Sequence, residues 1–421
     1  MLPSISTAST ATVGAAAAGG AAGGADSAGA GSAAAQTASA THAALSGDQH
    51  RTSFRLDLSA GVPAEIYTLA NPYRVIVDLP DVAFHLPDGT GQEGHGLVRA
   101  FRYGQFAERK ARVVLDTTGP VRIERAAMTA APDGKGIVFT FDMVTTDPAS
   151  FGVGTGADKA AESAEEAQRP PAEDPAAAKP GKAGKPVVMI DPGHGGIDGG
   201  AVSPSNVLEK DVVLAVAKEL ARQLSATGRY DVRMTRDSDV FVSLDQRLSL
   251  SAQHGVDLFI SLHADSLAEQ HGALVVRGAT IYTLSERASD EQARLMAEKE
   301  NASDLVAGLN VVDGEGNDEV KSILFDLMKR ETANFSADFS NVLVRKLKQA
   351  KALSRAPQRA AAFKVLKQTH APSVLIELGY LSNPEDEKLL STPAWRKKIA
   401  ASITAAVDAY FAKRTAGGPA P

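Results

Sequence analysis

Between Arg51 and Thr146 the chain runs in short segments whose apolar and polar residues alternate, as in Phe54-Arg55-Leu56-Asp57-Leu58, Tyr73-Arg74-Val75-Ile76-Val77-Asp78-Leu79, Ala111-Arg112-Val113-Val114-Leu115-Asp116 and Gly136-Ile137-Val138-Phe139-Thr140-Phe141-Asp142. Successive side chains of a strand point to opposite faces, so a period near two predicts strands with one face in a core. Turns rich in Pro, Gly and Asp separate the segments. About seven short strands and no helix fit into 51–146, which predicts a small all-β sandwich.

From Pro186 the period changes. Val187-Val188-Met189-Ile190 is apolar throughout and stops at Asp191-Pro192-Gly193, the pattern of a strand buried on both faces that opens into a loop. Val212, Val213, Val216, Leu220 and Leu224 then recur at helical spacing, with Gly228 as the stop. A strand is expected over Tyr230 to Thr235. Ser243 and Gln246 have the spacing of a capping box for a helix that Gly255 ends, and Asp257-Leu258-Phe259-Ile260-Ser261-Leu262 is a second buried run. A strand at Ala273 to Leu284, a long helix from Ala333 to Leu353 with Phe335, Phe339, Val342 and Leu343 inward, a strand at Ser373-Val374-Leu375-Ile376 and a last helix from Ala394 to Ala412 follow. This alternation predicts an α/β domain over 186–415, a twisted, mostly parallel sheet flanked by helices.

The remaining tracts differ in composition. Residues 147–185 carry no large apolar side chain after Val153 and have the alternating charge, Pro and Ala of a flexible linker. In residues 1–50, 26 are Ala or Gly and the first Lys or Arg is Arg51, so this stretch is expected to be disordered, since it buries too little surface to offset its ordering entropy. An export signal needs a basic start and ~7–15 apolar residues, and none is visible there. No segment approaches the ~18 apolar residues of a membrane helix.

Composition narrows the chemistry. With no cysteine, thiolate metal sites, Cys nucleophiles and disulfides are excluded, and a metal must be held by His and carboxylates. A formal net charge of −6 argues against nucleic acid as a partner.

Nine histidines are spread along the chain. His42 and His50 fall in the stretch expected to be disordered, and His85 and His95 in the loop-rich first domain. His194 and His263 stand apart, because each lies just past the end of a buried strand, where a parallel sheet opens onto its binding crevice. Glu209 begins the next helix, with Asn206 as a candidate N-cap. It is either a carboxylate stabilising that helix end or the third ligand of a site with two imidazoles, one carboxylate and an open fourth position, the donor set of catalytic zinc. Glu377 ends an apolar strand. It is either half of a structural salt bridge or a carboxylate that serves as general base and then acid.

Four motifs in order, Asp191-Pro192-Gly193-His194-Gly195-Gly196, Glu209-Lys210-Asp211, Ser261-Leu262-His263-Ala264-Asp265 and Ile376-Glu377-Leu378-Gly379-Tyr380-Leu381-Ser382-Asn383, resemble the zinc-dependent N-acetylmuramoyl-L-alanine amidases of bacterial cell-wall turnover. The resemblance implies one Zn2+ on His194, Glu209 and His263, a catalytic Glu377, and peptidoglycan as substrate, cut between N-acetylmuramic acid and L-alanine. The domain at 51–146 looks like the peptidoglycan-binding module of the periplasmic cell-division members. Between the strand ending at Leu284 and the next helix, 285–326 contains a charged amphipathic helix and a Gly/Asp-rich loop at 313–318. By the same resemblance it is expected to be an autoinhibitory lid that places Glu291 or Glu300 at the zinc and yields to a LytM-like activator. A periplasmic address is implied too, so Met1 is expected not to be the true start, or the chain to lack its signal. The alternatives are another zinc amidohydrolase or peptidase, or an inactive wall-binding scaffold.

Overall fold

The computed structural model describes residues 11–13, 37–151, 184–267, 276–309, 323–350, 352–368 and 370–416. These fall into two compact units, an all-β N-terminal one and an α/β C-terminal one. Among the described residues no helix is long and apolar enough to cross a membrane.

The N-terminal unit stacks two five-stranded sheets, one with the spatial order Ala11–Val13, Ala64–Leu69, Arg74–Pro80, Lys110–Thr117, Val98–Ala107, and the other Val82–Phe84, Ala38–Gly47, Arg51–Leu58, Ile137–Thr145, Val121–Ala130. The alternation expected from sequence is explicit in Arg51–Leu58, where Thr52, Phe54, Leu56 and Leu58 are buried and the residues between them are not. Phe54, Leu56, Val75, Val77, Val113, Leu115, Phe139 and Phe141 belong to one core, each contributing about 1.5–3 kcal/mol of burial. Strand texture therefore led to the right architecture.

The disorder expected throughout residues 1–50 does not hold for 37–50, and 1–10 and 14–36 lie outside the described residues. Ala38–Gly47 is a strand, antiparallel to Arg51–Leu58 and parallel to Val82–Phe84, and it contains His42, while His50 lies in the turn that joins it to Arg51. Its main chain completes the hydrogen bonds of an existing sheet, and Ala38 and Ala40 are buried, so large side chains are not needed. Gly47 makes the turn with φ 112°, where a Cβ would stand 2.2 Å from the Arg51 carbonyl oxygen. Ala11–Val13 pairs with Ala64–Leu69. Of the tract expected to be a linker, Pro148–Phe151 is a single helical turn, and 152–183 lie outside the described residues.

The C-terminal unit is built on a six-stranded sheet in the order Asp231–Met234, Val187–Pro192, Leu258–His263, Ser373–Glu377, Ala279–Leu284, Leu353–Ala361. The first four strands are parallel, and Ala279–Leu284 runs antiparallel to Ser373–Glu377. Every residue of Val187–Pro192, Leu258–His263 and Ser373–Glu377 is buried, as strands covered on both faces require. Val188 and Ile190 face the helices Glu209–Ala226, Ile323–Gln349 and Pro393–Ala416, whereas Val187 and Met189 face a second core with Tyr282, Met296 and Phe363. The Ser243/Gln246 capping box is formed at the start of Leu244–Gln253. Two expectations shift. The long helix is over by Gln349, and Leu353 instead opens a polar edge strand that apolar periodicity could not reveal. Asn206 does not cap the Glu209 helix, since Leu208 occupies that position without a side-chain bond and Asn206 sits in a left-handed turn with φ 63°.

Candidate metal centre

His194 and His263 meet at the carboxyl end of the sheet. His263 is the last residue of its strand and lies in register with Glu377 on the neighbouring strand. His194 follows Val187–Pro192 through a loop held by buried arginines. Arg247 pairs with Asp191 at 2.6 Å and donates to the Pro192 and His194 carbonyls, and Arg236 donates to the Pro192 and Gly193 carbonyls. Gly193 lets the loop pass against the other imidazole, because a Cβ there would lie 2.4 Å from the His263 ring. The two ring centroids are 5.0 Å apart.

Each imidazole turns one nitrogen inward. His194 Nδ1 is 2.9 Å from Asp198 Oδ2, which leaves Nε2 facing the cluster, and a carboxylate behind a histidine fixes the ring that way. His194 Nε2 and His263 Nδ1 are buried and have no hydrogen-bond partner. Glu209 stands against both, with one carboxylate oxygen 3.2 Å from His194 Nε2 and the other 3.2 Å from His263 Nδ1. The same oxygens accept from the Ala201 and Ala264 amides at 2.9 and 2.8 Å, so this carboxylate is held rigidly. Gly200 closes the cradle, where a Cβ would fall 2.7 Å from His194 and 2.8 Å from Glu209.

The segment after Leu284 enters the site. Asp290 caps the helix Glu291–Asn301, which buries Ala293, Met296, Ala297 and Glu300. Glu300 Oε2 is 3.4 Å from His194 Nε2 and 3.1 Å from His263 Nδ1, and these three residues form a group compact enough to hold a metal ion. Glu291 is not at the site. It pairs with Arg294 on the helix surface. Lys299, beside Glu300, pairs with the buried Asp265, and Ser303 donates to Asp198 at 2.6 Å. The cavity left among Gly193, His194, His263, Glu300 and Ser303 has a volume of about 10 Å³, space for one water-sized body and none for a substrate. The 313–318 loop lies outside the described residues.

Charge at the centre is out of balance. Burial disfavours the imidazolium of His194, but Asp198, Glu209 and Glu300 outweigh it and raise its pKa well above the usual histidine range, and His263 is pushed up to about 10, with Glu300 and Glu209 overcoming burial. Three carboxylates thus draw protons onto two imidazoles, and a divalent cation would supply the same positive charge. Glu377 is fully buried. Its Oε2 accepts from the Asp265 amide at 3.1 Å and its Oε1 has no partner. Burial first, then Asp265, Glu209 and Glu300, raise its pKa well above the usual carboxylate range despite His263.

His194 Nε2, His263 Nδ1 and Glu300 form a buried N/O group that could hold a metal ion, and Glu209, anchored by two amides, stands against both imidazoles. A family profile described as N-acetylmuramoyl-L-alanine amidase matches residues 188–409, just over half of the chain. The chain belongs to that amidase family. This amidase is a peptidoglycan hydrolase that cleaves the amide joining N-acetylmuramic acid to the L-alanine of the stem peptide. A second profile, the AMIN domain, matches residues 45–141. Among relatives, the amidase is 32% identical over 355 residues to N-acetylmuramoyl-L-alanine amidase AmiC of Escherichia coli O6:H1 (strain CFT073), which covers 82% of this chain and 83% of the relative. AmiC of Neisseria meningitidis serogroup B is 30% identical over 369 residues, 86% of this chain and 87% of its own. AmiA of Escherichia coli K12 is 41% identical over 229 residues, 54% of this chain and 77% of its own.

Asp198, Arg236, Arg247 and Asp265 were missed from sequence. Asp198, four residues after His194, carried a faint signal in its spacing. The arginines carried none, because their partners, main-chain carbonyls and for Arg247 also the Asp191 carboxylate, belong to elements distant in sequence.

Proposed function

We propose that the amidase is zinc-dependent, with His194, Glu209 and His263 as its resident ligands and Glu377 as its catalytic acid-base. The observation that carries this is the pair of buried imidazole nitrogens without partners, facing Glu209. Zinc bound there would polarise the lactyl carbonyl and acidify the attacking water. Glu377, ionised when the site is open, takes a proton from that water and delivers it to the leaving nitrogen of L-alanine. The Asp265 amide holds the Glu377 carboxyl in place for both transfers. Asp198 keeps Nε2 of His194 inward, and Arg236 and Arg247 hold the loop that carries it.

The insert supports a resting state that is shut. Glu300 occupies the approach to the histidine pair, and its charge adds to the burial that raises the Glu377 pKa, so displacement of the helix Glu291–Asn301 opens the site and removes that contribution. A LytM-like activator is the proposed agent of that displacement. The AMIN-matched unit holds the enzyme on peptidoglycan, and the setting is the periplasm, in wall remodelling and daughter-cell separation. Zinc titration into stripped protein provides the test. Uptake of one equivalent releases protons from His194 and His263, seen as a dependence of the calorimetric enthalpy on buffer ionisation. Binding with no proton release would count against these ligands.

A further inference from the structure

Asp265 is a fully buried carboxylate that the metal reading leaves without a function. Its backbone N–H donates to Glu377 Oε2 at 3.1 Å, which fixes it beside the acid-base group. Oδ1 accepts from the Ser266 amide at 2.6 Å and from Lys299 Nζ, while the buried Oδ2 has no partner. A carboxylate so placed calls for a cation with more than one hydrogen to give.

The cation present is Lys299, and its neighbour Glu300 is the residue at the histidine pair. Two consecutive residues of the insert therefore set an ammonium on Asp265 and a carboxylate on His194 and His263. Amide hydrolysis ends with the same two charges. The C–N bond breaks, the water oxygen joins the carbonyl carbon to leave a lactyl carboxylate, and both water protons finish on nitrogen as the α-ammonium of L-alanine.

Resting on the proposed metal site, we propose that Asp265 receives the leaving amine, and that Lys299 and Glu300 hold the site shut by imitating the two products. Asp265 accepts a hydrogen from the scissile N–H in the substrate and pairs with the ammonium once the bond is broken. The unpartnered Oδ2 accommodates the extra hydrogens that the nitrogen gains. The insert is thereby a product mimic on two adjacent side chains, and activation frees both subsites together.

The test uses the full zinc-loaded chain carrying Glu300→Ala throughout, which opens the approach to the histidine pair, with Lys299→Met, which vacates Asp265, and the same variant carrying Asp265→Asn. The probe is a stem peptide with a free L-alanine amino terminus, titrated calorimetrically against a twin in which a propionyl group replaces L-alanine and only the ammonium is lost. The expected result is that Lys299→Met binds the free-amine peptide about tenfold more tightly than the twin and that Asp265→Asn erases the preference. Equal binding of the two peptides by Lys299→Met would overturn the proposal, and so would a preference that survives Asp265→Asn. The comparison within Lys299→Met decides the matter even if the Asp265→Asn variant does not fold. Failure of the metal reading shows separately, as absent zinc in Lys299→Met by elemental analysis.

Discussion

The two units each bury charged side chains, and they do so to opposite ends. In the N-terminal unit Arg112 is fully buried and grips Asp78 through two donors at 2.6 and 2.8 Å, donates to the Tyr67 hydroxyl at 3.0 Å and lies 3.4 Å over the Phe106 ring, while Lys110 adds a third contact to Asp78 at 3.1 Å. In the C-terminal unit His194, His263, Glu300, Glu377 and Asp265 are buried as deeply, yet each keeps an atom without a partner. A satisfied network specifies a fold, whereas five charged or titratable groups left open in one buried cluster call for a ligand or a reaction to account for them. The contrast separates structural from chemical charge without reference to any relative.

The largest effect that would break the contrast is at Glu377. Glu377→Gln is expected to keep zinc and fold but lower release of stem peptides by about 10²- to 10⁴-fold, the range for a lost acid-base group, with mass spectrometry of digested wall as the readout. Near-normal turnover would move Glu377 to the structural side. Next is Arg112→Ala, expected to destabilise the N-terminal unit by roughly 3 kcal/mol, because it removes the two-donor grip on the buried Asp78 carboxylate and leaves Lys110 as its cation. Denaturant unfolding would show this, and zinc content should not change.

A smaller effect sharpens the comparison inside the C-terminal unit. Glu300→Ala is expected to raise activator-free hydrolysis of purified peptidoglycan about tenfold, the factor for roughly 1.4 kcal/mol of lost closing contact, while Glu291→Ala should change it little. The smallest is a pH effect. Burial pushes the Asp78 carboxyl up, but Arg112 and Lys110 outweigh it and hold it below the usual range. A depressed carboxylate contributes stability that is present above its unfolded value of about 3.9 and is lost as pH falls through its lower folded value. Unfolding of the N-terminal unit followed below about pH 4 should show that loss in the native protein and not in Asp78→Asn.

Much of this was legible in the sequence, for a physical reason. Strands buried on both faces announce themselves as apolar runs, and whatever polar residue follows them lies at the sheet end, so the convergence of His194 and His263 was open to pattern, while Glu377 joined them only through the motif resemblance. Glu291 and Glu300 could not be separated by type. Nine residues apart on a helix, they differ by about 180° in phase, and the apolar face of Ala293, Met296 and Ala297 selects Glu300 once packing is known. The strand Ala38–Gly47 escaped because its stability comes from main-chain pairing to an existing sheet rather than from large side chains. Leu353–Ala361 escaped for a similar reason, as a largely polar strand at the sheet edge.

The central claim is that the open nitrogens of His194 and His263, with Glu209, hold the metal on which hydrolysis depends. The direct test is metal content measured alongside peptidoglycan hydrolysis by the full chain, before and after chelation, for the native protein and His194→Ala. One zinc per native chain, activity abolished by chelator and restored by zinc, and neither metal nor activity in His194→Ala are predicted. Undiminished release of peptides with free L-alanine amino termini from fully stripped protein would contradict the account.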